Sequence, residues 1–321
     1  MMQRKSARER LAGVAQPAFV LDKDMGAPVL TDAGRFAATD SEGRPVVPLT
    51  AAQKYHFDTK GWLAIPGVLD AAEIEEMREF VLRLAAEPES IAEHQRSPVG
   101  GPLQRLTDHP VVIGFAQEFI YNPFTDGGGE SLENDAGYGF RQEHSFVTVR
   151  RAGGGRRGAQ GDGTFGPHNG NGMMRLPGDC HHYQAFPGRA YAGMTRIVWE
   201  LNEVGRDDGG TLLLSGSHKA AYPAPEEIFS ADSSLWETCA CPAGSVLMFT
   251  EALTHSGQVW RNPDRARVAV FNCYNSIHAK WHNWDPPAAV LADMPPKRRS
   301  LYRPVYVAGN WIREEEASAQ R

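Results

Sequence analysis

The chain has 321 residues, 41% of them hydrophobic and 22% charged, with a formal net charge of −6. This is the composition of a soluble globular protein, and no apolar run approaches the roughly 20 residues needed to cross a bilayer, which excludes a membrane span. The negative balance argues against nucleic-acid polymers, whose counterions are displaced by a positive surface, but is compatible with one small anion in a local basic pocket.

The first ten residues, Met1 to Arg10, are basic and lack the apolar core of a secretory signal, so a cytoplasmic location is expected. Residues 1–48 are rich in Ala, Asp, Pro and Gly with weak periodicity and read as an N-terminal arm holding at most a short helix. A helix begins at Leu49-Thr50-Ala51-Ala52-Gln53. Gly61 to Leu69 then reads as a strand closed by the Pro66-Gly67 turn. The clearest helix follows, with Asp70 as N-cap and Ile74, Met77, Phe80, Val81 and Leu84 at helical spacing. A further helix is expected over Val111 to Ile120, and an acidic, glycine-rich loop from Asp126 to Gly139 leads to a strand around His144 to Val149.

From there the pattern is β. Strands are expected over Met194 to Val204, Thr211 to Ser215, Ser245 to Thr250, Gln258 to Trp260 and Arg267 to Tyr274, separated by Gly, Pro and Asp turns at short intervals. Cys180, Cys239, Cys241 and Cys273 have neither zinc-site spacing nor the density of a disulfide scaffold, and are expected to be reduced. Cys239-Ala240-Cys241 reads as alternating strand packing rather than a metal clip. Asp207-Asp208-Gly209-Gly210 is a hairpin signal, and Ser215-Gly216-Ser217-His218-Lys219 a structural turn, so His218 is not assigned to a metal.

Functional interest concentrates on Pro167-His168-Asn169-Gly170, then Tyr183, Gly188-Arg189, Gly193 and Trp199, the lead Pro242 to Phe249 into Glu251-Ala252-Leu253-Thr254-His255, and a basic strand holding Arg265 and Arg267. This order resembles the phytanoyl-CoA dioxygenase-like branch of the non-haem iron, 2-oxoglutarate-dependent oxygenases. Their motif is His-x-Asp, a distant His, and an Arg about a dozen residues later. The resemblance covers about residues 55–278 and implies a mainly β fold with flanking helices, the double-stranded β-helix or cupin-like jelly roll, as a single catalytic domain over residues 49–321.

In that family two His and one carboxylate hold Fe(II) and leave three positions for cosubstrate and oxygen. The resemblance makes His168 and His255 the iron ligands, with His181 or His182 as rivals for the first. Arg267 becomes the anchor of the far carboxylate of 2-oxoglutarate, because a guanidinium matches a carboxylate in bidentate geometry, with Arg265 as its backup on the same strand face. Trp199 and Thr254 fall near the cosubstrate, although a buried Trp on a barrel strand is equally a core residue.

The departure from the motif is Gly170, which stands where the Asp would be. Within this superfamily that exchange marks the aliphatic halogenases, in which chloride takes the vacated position and restores the missing negative charge. The resemblance therefore implies a halogenase that uses Fe(II), 2-oxoglutarate, O2 and chloride to chlorinate an unactivated carbon in natural-product biosynthesis. A hydroxylase stands beside it, if Asp162, Asp179 or Glu251 supplies a relocated carboxylate, as does a jelly roll that binds without catalysis.

Arg150, Arg151, Arg156 and Arg157, set among glycines upstream of His168, read either as a solvated loop or as an anion site. The second reading suggests a phosphorylated nucleoside such as a deoxyadenosine phosphate. A carrier-tethered substrate, an amino acid and an alkaloid are the alternatives.

Overall fold

The computed structural model describes residues 37–121, 137–154, 163–169, 180–186 and 188–305, together with two short strands nearer the N-terminus. Those strands, β1 (Phe19–Leu21) and β2 (Pro28–Leu30), pair antiparallel, so the arm contributes a hairpin where at most a short helix was expected.

Helix α1 (Ala51–Lys60) starts at Thr50, whose side chain accepts from the Gln53 N–H while the Gln53 side chain accepts from Thr50. It ends at Gly61, whose φ of +82° suits only glycine; a β-carbon there would lie 2.6 Å from His218 Nδ1. The Ser-His turn is thereby packed under the start of the sheet. Helix α2 (Ala71–Ala86) has the expected Asp70 cap, reciprocated by Glu73, and buries Met77, Phe80 and Val81 at i, i+3 and i+4 spacing. Helix α3 (Pro110–Phe119) is almost wholly buried, and Phe57 of α1 packs on its Phe115 and Phe119.

These helices cover one face of a five-stranded antiparallel sheet made of β3 (Trp62–Ile65), β10 (Ser245–Thr250), β7 (Thr195–Glu200), β12 (Arg267–Ser276) and β4 (Phe140–Arg150), in that spatial order. Side chains alternate across it. Ile197, Trp199, Val246, Met248, Val268 and Val270 enter the helix-side core, whereas Val198, Leu247, Phe249 and Ala269 face a second core.

The second core is closed from the other side by a smaller sheet, β11 (His255–Ser256), β8 (Leu212–Leu213) and β9 (Glu237–Thr238). A two-stranded ribbon, β5 (Gln184–Phe186) with β6 (Arg189–Tyr191), completes the β layer. Two sheets facing each other across an apolar interior form the expected jelly roll.

Strand and turn expectations change, and the Thr211–Ser215 strand shortens to Leu212–Leu213. The Met194–Val204 strand is only Thr195–Glu200, because Leu201 already turns toward Val268. Gln258–Trp260 is not a strand; pairing occurs earlier, at His255–Ser256, and the buried Trp260 donates from Nε1 to the Arg265 carbonyl at 2.6 Å. The Asp-Gly-Gly signal is a tight approach, since a β-carbon on Gly209 (φ +100°) would sit 2.1 Å from the Val259 carbonyl oxygen.

Beyond Trp281, where the sequence carried no assignment, α4 (Ala288–Asp293) and α5 (Pro296–Arg299) fold back on the helical layer. The buried Arg298 donates to Asp108 at 2.7 Å and to Glu42 at 3.0 Å. All four cysteines are buried, and none is in a disulfide. Among the described residues no helix is long and apolar enough to cross a membrane.

Candidate functional site

His168 and His255 meet. They form an isolated antiparallel bridge, in which the His168 N–H donates to the His255 carbonyl at 3.0 Å and the His255 N–H to the His168 carbonyl at 2.8 Å, so His168 extends the smaller sheet beyond β11. Their ring centroids lie 4.3 Å apart. The His168 ring contacts the Gly166 carbonyl through Nδ1 at 2.8 Å, and the His255 ring contacts the Leu253 carbonyl through Nδ1 at 2.8 Å. A carbonyl can only accept, so each Nδ1 carries the proton and each Nε2 keeps its lone pair. This is how a metal-binding imidazole is oriented by its second hydrogen bond. His181, the buried rival, instead meets Trp281 edge to face.

A third group completes this corner. Glu251, buried in the turn that links β10 to β11, places Oε2 3.6 Å from His255 Nε2. Its other oxygen accepts from Arg196 Nε at 2.8 Å, and Arg196 Nη2 stands 2.7 Å from the same atom. Burial alone would raise the Glu251 carboxyl, but the charge of Arg196, then that of His255, outweighs it and holds the group down at about 2. Burial pushes His255 down to about 4, against the opposing pull of Glu251. The corner therefore presents uncharged imidazole and ionised carboxylate at neutral pH. The His168, His255 and Glu251 ligand atoms do not all lie within 4.8 Å of one another. The described group that does is Glu143, Cys273 and His282. There the carboxylate is already claimed by His282 Nδ1 at 2.7 Å, Asn275 at 3.0 Å and the Trp281 N–H at 3.1 Å, which makes it a clasp for the segment after β12.

Arg196 had no place in the sequence reading. The signal was present, since Arg196, Val198 and Glu200 share one face of a short strand in which every residue except Arg196 itself is buried. Two charges on that face need partners, and both have them.

The other anticipated residues fall differently. Arg267 is buried on the inner face as required, but its guanidinium is engaged by Glu200, through Nε at 3.1 Å and Nη2, with Nη2 also 2.9 Å from Thr211 Oγ1. Arg265 precedes the strand and lies at the surface, paired with Glu203 and Asp208 at 3.1 Å, which removes the shared-face argument for it. Trp199 points to the opposite side of the sheet, edge-on to His109 at 5.1 Å, and belongs to the helix-side core rather than to the histidines' side. Thr254 is buried beside His255, its backbone tied to Ser217 Oγ and to the Leu214 N–H. Arg150 closes β4 opposite Arg267, and Arg151 is exposed just beyond it. Gly170, Asp162, Asp179, Arg156 and Arg157 lie outside the described residues. His218 bonds the Asp58 carbonyl at 3.0 Å and meets Tyr183 edge-on, as a structural residue does.

A cavity of about 870 Å³ is lined by Asn169 and Thr254, the chain neighbours of His168 and His255, and by the segment from Leu214 to Phe229; neither imidazole is part of its described lining.

A family model described as phytanoyl-CoA dioxygenase matches residues 57–268. The chain belongs to the phytanoyl-CoA dioxygenase family. It is thus an enzyme of the Fe(II)- and 2-oxoglutarate-dependent oxygenase class. Among solved structures, HygX from Streptomyces hygroscopicus with nickel and 2-oxoglutarate bound is 23% identical at a TM-score of 0.54, over 75% of this chain and 93% of that one. EctD from S. alaskensis in its apo form is 16% identical at a TM-score of 0.50, over 84% and 87%. Both likenesses are of fold. A search of curated proteins finds no match.

Proposed function

We propose that this enzyme holds Fe(II) between His168 and His255, consumes 2-oxoglutarate and O2, and oxidises an unactivated aliphatic carbon of a small molecule, with Glu251 as the carboxylate of the metal site. The observation that carries this is the pair of imidazoles tied through Nδ1 to backbone carbonyls, with the Glu251 carboxylate 3.6 Å from His255 Nε2. Two nitrogens and one carboxylate oxygen are a donor set that suits Fe(II). The bound metal with its cosubstrate supplies the oxidant that removes a hydrogen atom from carbon. The chain's own part is to fix the rings and keep Glu251 ionised through Arg196. Arg267 is the cation for the far carboxylate of 2-oxoglutarate, sharing its guanidinium with Glu200. The reaction on this reading is hydroxylation or a related oxygenation, by one domain spanning residues 49–321.

A second reading is chlorination. It rests on Gly170, which follows His168 by two residues where the family motif has Asp and so brings no carboxylate of its own. Binding and products separate the two. In the anaerobic Fe(II)- and 2-oxoglutarate-loaded protein, the metal-to-cosubstrate absorption band is followed during a chloride titration. If Glu251 is a ligand, chloride leaves the band unmoved and Glu251→Ala weakens Fe(II) binding. A saturable shift that Gly170→Asp abolishes, with a chlorine isotope pair in the product, establishes the halogenase. No band at all removes both readings in favour of a binding protein.

A further inference from the structure

Strand β4 carries a buried cation that no acceptor meets. Phe140 enters the helix-side core and Gln142 accepts from the Tyr302 hydroxyl at 2.9 Å, so alternation turns Arg141 to the inner side of the sheet. Just beyond it the register of β4 on β12 slips. Tyr274 faces Gln142 and Cys273 faces His144, which leaves Glu143 unpaired in a bulge. The His282 ring touches both residues there, stacked on His144 at a centroid distance of 4.4 Å and in contact with Glu143 through Nδ1 at 2.7 Å.

Arg141 is 3% exposed, and its Nε and Nη1 have no hydrogen-bond partner among the described residues. The other buried arginines do have acceptors: Arg189 donates to the Gln117 and Tyr121 carbonyls, Arg267 to Glu200 and Arg298 to Asp108. Two carboxylates act on Arg141 by charge, Glu143 and then Asp285, and both are spent elsewhere. Glu143 accepts from Asn275 and the Trp281 N–H beside its contact with His282, and Asp285 takes Lys280 at 2.8 Å on each oxygen. Burial pulls the Arg141 guanidinium down against those two charges, yet a guanidinium keeps its proton inside a protein. A cation held in the interior without an acceptor is costly until an anion joins it.

The place is close to the proposed metal corner. Arg141 pairs with Asn275, two residues and so about 7 Å along β12 from Cys273, which lies opposite Arg196. His144 Nδ1 stands 3.5 Å from Arg196 Nη1, and Arg196 holds Glu251.

We infer that Arg141 is an anion-binding residue, whose planar donor fork receives a carboxylate or phosphate group, borne by the substrate or present as a free anion. Only the assignment of that group to the substrate rests on the iron reading.

The test uses the full chain at neutral pH, with phenyl phosphate, inorganic phosphate and, as uncharged control, phenol titrated calorimetrically into the metal-free protein. At least one phosphate is expected to bind about tenfold or more tightly than phenol. Arg141→Met should weaken that binding by at least about tenfold, and Arg141→Lys, which keeps the charge, should retain most of it. In phosphate-free buffer the methionine variant should unfold at a urea concentration no lower than the wild type, because no partner is stranded by the loss of the charge. Phosphate binding that is absent in the wild type, or equal in wild type and Arg141→Met, would overturn the inference. So would a methionine variant that unfolds at lower urea or fails to fold, since the charge would then be structural. The Fe(II)–2-oxoglutarate band of the anaerobically loaded protein separates the two sources. A band that phenyl phosphate shifts in the wild type but not in Arg141→Met assigns the anion to the substrate. Arg141-dependent binding with an unmoved band assigns it to a free anion. A missing band with that binding intact overturns the iron reading alone.

Discussion

Two arginine–glutamate pairs sit on the inner face of strand β7, four residues apart, and do opposite things. Glu200 gives both oxygens to Arg267, which also reaches Thr211, and the pair is closed and 3% exposed on each side. At the other end Arg196 takes one oxygen of Glu251 with two of its nitrogens, and the second oxygen faces His255 at 3.6 Å. The same kind of ion pair thus uses both carboxylate oxygens in one place and leaves one oxygen turned toward an imidazole in the other. What separates them is which atoms are left over, so it is an unspent lone pair rather than charge that marks the Glu251 corner as the proposed metal site.

The strongest test of that contrast is to remove each carboxylate in turn. Glu200→Ala strands a buried guanidinium and should cost on the order of 3–5 kcal/mol in urea unfolding of the metal-free protein. Glu251→Ala should lower Fe(II) affinity by about 100-fold in a metal titration, whereas the Glu200 variant, if folded, binds Fe(II) as the wild type does. Equal iron affinities in the two variants would abolish the distinction.

The arginines sharpen it. Arg196→Gln leaves Glu251 in place but unanchored, and should reduce Fe(II) affinity by roughly tenfold. Arg267→Lys loses the bidentate fork, and should raise the KM for 2-oxoglutarate by roughly tenfold with little change in iron affinity if Arg267 serves the cosubstrate. A change in stability alone would make the Arg267–Glu200 pair purely structural.

A pH-dependent effect comes from the opposite face of the same strand. Burial pushes His109, packed on Trp199, from the ordinary 6.5 down to about 4. The unfolded chain therefore takes up the proton first. The stability that neutral His109 contributes is complete above about 6.5 and is lost as pH falls toward about 4. Up to about 2–3 kcal/mol is at stake over that window. His109→Asn keeps a side-chain acceptor for the Val111 N–H at the start of α3, so its unfolding free energy should vary less with pH across the window.

Much of the helical layer was legible because its signals are local. The Asp70 cap and the Ile74 to Leu84 spacing are properties of a few consecutive residues, and the Pro-Gly turn after β3 is another. Strand existence was legible too, through alternation and turn residues, and Ser245–Thr250 matches to the residue. Strand length was not. Gln258–Trp260 has the look of a strand, but whether a segment pairs depends on a neighbour far along the chain, and here His255–Ser256 found Leu212–Leu213 instead.

For the site, the sequence by itself determined which residue types could hold a metal and in what order they come, with His168 and His255 resembling a family's ligand pattern and His181 and His182 left as rivals for the first. Only the tertiary structure decided that these two rings share a bridge, that Glu251 rather than a neighbour of His168 is the described carboxylate beside them, that Trp199 faces away, and that Arg196 is the cation of the corner. The physical reason is that a side chain's face on a strand is set by register, and register is settled between strands. A lone pair left free by one carboxylate and used up by another is visible only once every partner is in place.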